Sequence, residues 1–159
     1  MNKKNEPILK TVAKGVVAGV AGTAAMTVSS TVEQKLRKRP PSTAPADAAA
    51  KLLHINGFPS EDAKNRFSNA VHWGYGTAWG VNRAVLSRAG LSPAAATSAH
   101  LGALWLSEQV MLPALEVAPP VTMWGGKEIA IDAWHHLVYA TATGAAYVAL
   151  DRRLNGAGR

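Results

Sequence analysis

Cysteine is missing from all 159 residues, which excludes disulfides, thiolate metal sites and thiol catalysis. Charge is scarce: 17% of the residues carry it, against roughly 25% in ordinary soluble domains. Leucine-rich runs are missing too, and the long apolar stretches are built mostly from Ala, Gly, Ser, Thr and Val. No G-x-S-x-G, H-E-x-x-H or phosphate-cradling glycine loop occurs. Without such a motif the chain is not expected to be an enzyme.

What charge there is lies in clusters. Lys3, Lys4, Lys10 and Lys14 open the chain, Lys35, Arg37, Lys38 and Arg39 follow its first apolar run, and Arg152, Arg153 and Arg159 close it. The net charge is +7. Basic residues that flank apolar runs suit anionic lipid headgroups better than nucleic acid, so no nucleic-acid partner is expected. The basic start and the apolar run from Gly15 to Val28 resemble a secretory signal only loosely, and the many glycines favour a retained membrane helix.

Four segments have the length that a hydrocarbon core of about 30 Å requires. They are residues 11–32, 67–86, 94–115 and 129–150. The connection 33–66 contains Pro40, Pro41 and Pro45, which stop a helix, and then a short amphipathic helix from Asp47 to His54 with Leu52 and Leu53 turned inward. Ser60 and Ser92 read as N-caps, Pro93 as the first residue of a helix, and Lys14 as a lysine reaching for headgroups. Trp73, Trp124 and Trp134 read as interfacial anchors. An alanine-rich soluble bundle is the rival reading. It is disfavoured because glycine costs up to about 1 kcal/mol in a water-exposed helix.

In lipid, helices associate by close backbone approach, which needs small residues four apart. Gly15 and Gly19, Gly76 and Gly80, and Ala140 and Gly144 meet that spacing. Two of these pairs belong to a repeat. "HWGYGTAWG" and "HLVYATATG" share H-x-x-Y-x-T-A-x-G, matching His72 with His136 and Tyr75 with Tyr139. "TVEQ" and "LSEQ" match Glu33 with Glu108 in the preceding spans. The expected fold is therefore an all-α, four-helix transmembrane bundle, a single membrane domain built from two parallel helical-hairpin repeats.

The spans also carry titratable groups. His72, Tyr75, His100, Glu108, Asp132, His136 and Tyr139 form an expected polar centre, with Glu128, Asp132, His135 or His136, Tyr139 and Thr143 making a stripe on the last span. Hydrogen bonds that lock helices together are the plainer role for these side chains, and a proton or ion path the sharper one. Asp132, His135 and His136 supply only half of a di-metal motif, so no metal is expected. Opposed His72 and His136 could ligate haem, but no attachment motif supports this and no cofactor is expected.

The stretches "GVVAGVAGTAAMTVSSTVEQKLRKRPPS", "HWGYGTAWG" and "HHLVYATATGAAYVAL" resemble small bacterial inner-membrane proteins of the YagU type. The resemblance implies a helical, multi-pass protein of the inner (plasma) membrane and transfers no catalytic residue. The function expected from all this is an interaction or accessory subunit of a larger membrane assembly, whose partners are lipids and other membrane subunits or itself. A small channel or carrier with a His/Tyr/Glu-lined path is the alternative.

Overall fold

A computed structural model describes residues 6–156; Lys3, Lys4 and Arg159 lie outside the described residues. The described chain is all-helical: α1 (Ile8–Arg37), α2 (Ala44–Leu52), α3 (Glu61–Arg88), α4 (Pro93–Ala114) and α5 (Gly126–Gly156), with a 3-10 turn at Val121–Met123.

The ends of the helices follow local chemistry. Ser60 accepts a hydrogen bond from the Ala63 N–H and Ser92 one from the Ala95 N–H, so both expected caps are present, and Pro93 begins α4. Helix α1 stops where Lys38 turns left-handed, φ 54°, and its N–H and that of Arg39 close back on Lys35 and Gln34. That conformation favours glycine, and here a lysine holds it.

The expected short helix needs correction. It starts at Ala44, with Pro45 inside its first turn, and it buries Ala46, Ala48 and Ala50 while Leu52 and Leu53 are exposed. Proline is tolerated in a first turn because the missing N–H has no intrahelical partner there anyway.

The long helices alternate in direction. Gly15 meets Gly80 and Gly19 meets Thr77, so α1 runs antiparallel to α3. Lys14 pairs with Asp151 and Ser29 with His135, so α1 is antiparallel to α5 as well. Thr97 touches Gly144 and Glu108 pairs with His136, which sets α4 antiparallel to α5. Helices α1 and α4 each lie against both α3 and α5.

The two hairpins are packed differently. A Cβ on Gly15 would lie 2.8 Å from the Gly80 carbonyl oxygen, and one on Gly19 would lie 2.6 Å from that of Thr77. Backbone touches backbone along this seam, and the expected small-residue faces account for it. Between α4 and α5 it is Gly144 that faces Thr97, while Ala140 lines a groove beside it. Gly22, not anticipated, lets α1 approach α5 at Tyr139 and Thr143.

Among the described residues only α1 is long and apolar enough to cross a membrane on length and composition alone. The other three expected spans are helices but fall short of that mark, because Gly, Ser, Thr, His, Trp and charged residues take the places that Leu and Ile hold in a strongly apolar span. Helices α1, α3 and α5 also extend past the expected limits, α1 by three residues at its start and five at its end, while α4 starts and ends one residue early.

Candidate functional site

Polar side chains occupy the inside of this bundle. Thr11, Lys14, Thr23, Arg83, His100, His135, His136 and Thr143 are buried, whereas the buried apolar side chains are mostly alanines, with Leu104, Tyr139 and Tyr147. Many large aliphatic side chains are exposed: Val17, Val20, Val28 and Val32 on α1, Val85 on α3, Leu106 and Val110 on α4.

At the end where the termini lie, Lys14 reaches neither headgroups nor solvent. Its ammonium sits 2.6 Å from Glu6 and 2.6 Å from Asp151, with the lysine only 2% exposed. A fully charged lysine can stay buried here because two carboxylates share its protons. Burial alone would raise the Glu6 carboxyl, but the bonded Lys14 ammonium and the Thr11 hydroxyl hold it below the usual carboxylate range. Lys14 and Arg83 both lie over the Tyr147 ring, at 5.3 and 5.1 Å from its centre. Arg83, wholly buried, also donates to Thr97 and to the Pro93 carbonyl.

Midway along the bundle, His100 is wholly buried between two rings: Trp79 stacks on it at 6.2 Å and Tyr139 meets it edge-on at 5.5 Å. Neither ring nitrogen of His100 makes a hydrogen bond of good geometry, and the polar group that faces the ring is the Trp79 backbone. The Tyr139 hydroxyl donates instead to the Gly76 carbonyl at 2.5 Å, tying α5 to α3.

Toward the other end, Glu108 on α4 sits 2.8 Å from Nε2 of His136 and beside the Tyr75 phenol. Nδ1 of His136 lies 2.8 Å from the Asp132 carbonyl, and the Asp132 carboxylate accepts from the Trp105 indole at 2.7 Å. A carbonyl can only accept, so Nδ1 carries a proton. Nε2 then faces a carboxyl, and the contact is a hydrogen bond only if a proton lies on His136 or on Glu108.

Tyr75, His100, Glu108, Asp132, His136 and Tyr139 thus form a column along α3, α4 and α5. His72 stands apart. Its Nε2 lies 2.9 Å from the Thr27 hydroxyl of α1, and since that hydroxyl donates its one proton to the Thr23 carbonyl, Nε2 is the donor. His72 and His136 therefore engage different helices, α1 and α4. Of Asp132, His135 and His136, the first and last stay together, with the Asp132 carboxylate 3.7 Å from Nδ1 of His136, whereas His135 turns to Ser29 at 3.0 Å and toward Glu33 at 3.7 Å. Among the described residues no three His, Cys, Asp or Glu side chains are grouped to hold a metal ion.

Glu33 accepts from Arg39 at 2.9 Å and from Arg37 at 3.1 Å, and the Arg39 guanidinium above all keeps its carboxyl below the usual range. Arg37 reaches across to Glu128 at 3.5 Å, and Glu128 itself is exposed.

Glu6, Arg83, Tyr147 and Asp151 were not expected at a site. Arg83 carried a signal nonetheless, as a lone arginine inside the segment 67–86. Comparison of the chain with protein families, with curated proteins and with solved structures finds no match.

Proposed function

We propose that this chain is a multi-pass membrane protein, a four-helix bundle that serves as an interaction or accessory subunit of a larger membrane assembly, as expected from the likeness to YagU-type proteins. The observation that carries the reading is the distribution of side chains. Lys14 with Asp151 and His136 with Glu108 are paired across helices inside the chain, while valines and leucines lie on the outside. In water that arrangement would leave a broad apolar surface exposed and set charges in the core; in lipid it satisfies both. The shared H-x-x-Y-x-T-A-x-G pattern supports duplication of a helical hairpin. The paired groups fix register between helices, and the outward faces are free for lipid or partner helices. Purification in mild detergent with mass spectrometry and an absorption spectrum tests the role. Stoichiometric co-purification of another membrane subunit is expected; a lone chain, or one carrying a chromophore, contradicts it.

A second reading is favoured by His100. The polar column runs from Glu6, Lys14 and Asp151 through Arg83 to His100, and from Tyr75 and Glu108 to His136 and Asp132, with the His100 imidazole between the two sets. On this reading His100 passes protons between them. Proton flux into proteoliposomes that is lost in His100→Ala supports it; absence of flux above empty vesicles leaves the accessory role.

A further inference from the structure

Outside the polar column, a groove of about 610 Å³ runs along the outer face between α4 and α5. Thr97 and Gly144, where the two helices come together, both line it. From Leu137 to Arg152 the groove follows α5 for roughly 22 Å at 1.5 Å per residue. Two of its three hydroxyls are spent on their own helices, Thr97 donating to the Pro93 carbonyl and Thr141 to that of Leu137, and Ser98 is the third. What it presents to an occupant is therefore mostly hydrocarbon, chiefly Leu101, Leu137, Ala145 and Val148.

At its terminal-end mouth stands Arg152, exposed and with no ion pair among the described residues. The surroundings are basic: Lys10, Arg88 and Arg153 lie at this end, while its acids, Glu6 and Asp151, are committed to Lys14.

We propose that this groove holds one acyl chain of an anionic phospholipid whose phosphate sits on Arg152. A long apolar slot with a single cation at its rim matches an amphiphile with one negative head and a hydrocarbon tail. A second copy docked here in the same orientation would bring two basic ends together, which opposes it. The inference rests on the membrane reading above.

The test is native mass spectrometry of the chain taken from membranes into nanodiscs containing equal phosphatidylglycerol and phosphatidylcholine with identical tails. One phosphatidylglycerol should be retained in preference. Arg152→Gln should lower the phosphatidylglycerol-to-phosphatidylcholine ratio about fivefold, the contribution of one basic side chain at an anionic surface. Ala145→Phe should fill the groove and reduce retention of both lipids, with Ala145→Leu as the milder filling should the larger ring disturb the fold. Arg66→Gln, at the opposite end, should change nothing. A ratio that ignores Arg152→Gln, retention that survives both fillings, or a dimer that the fillings dissociate would overturn the proposal. If carbonate washes the chain off membranes, the membrane reading falls with it; if the chain resists carbonate but shows no lipid preference, the lipid site alone falls.

Discussion

Glu108 and His136 join α4 to α5 through a 2.8 Å contact that needs a proton between them. Removing one partner strands the other inside the bundle. Glu108→Ala should therefore destabilise the chain by about 1–2 kcal/mol, the range for interhelical hydrogen bonds in lipid. Unfolding in mixed micelles reads this, and the double variant with His136→Ala should cost less than the sum of the two single changes.

Lys14 offers a larger effect. Lys14→Met leaves Glu6 and Asp151 facing each other without their shared cation. A loss of about 3–5 kcal/mol is expected, as for other broken buried pairs. Partial recovery on adding Glu6→Gln and Asp151→Asn, measured by the same unfolding, would show that stranded charge is the cause.

The α1–α3 seam makes opposite predictions for two glycines on one helix. A Cβ on Gly80 would strike the Gly15 carbonyl oxygen and the Gly19 backbone, whereas one on Gly74 meets nothing within 4 Å. Gly80→Ala should cost about 1–3 kcal/mol by forcing backbones apart. Gly74→Ala should stabilise by up to about 1 kcal/mol through helix propensity. Thermal midpoints of the two variants should move in opposite directions.

Acid should loosen the end that holds Glu33. Its carboxyl titrates below the ordinary 4.5, so its pairing with Arg39 and Arg37 is fully present above that value and fades as the pH falls through the lower, folded value. Glu33→Gln should remove this part of the pH dependence below 4.5 and leave the neutral side of the stability profile unchanged in shape, as followed by helicity against pH.

The helices were legible in the sequence because Ser60, Ser92 and Pro93 mark starts that need no tertiary information. The Gly15–Gly19 and Gly76–Gly80 faces were legible for a similar reason: without side chains, they admit a backbone. The facing of Leu52 and Leu53 was not, because α2 buries only alanines and its neighbours decide which side that is. Lys14 was misread since the sequence cannot show that Glu6, eight residues earlier, and Asp151, far along the chain, converge on it. The separation of His72 from His136 escaped notice because a shared motif fixes residue type and spacing, while the partner helix depends on how each hairpin packs.

The inside-out arrangement itself can be read directly, since the chain has no native cysteine to interfere with labelling. Nitroxide labels on Val17→Cys, Val85→Cys and Leu106→Cys, all on outward faces, in reconstituted bilayers should be relaxed strongly by oxygen and weakly by a water-soluble nickel complex. Strong relaxation by the nickel complex at all three positions would place these faces in water and contradict a lipid-embedded bundle.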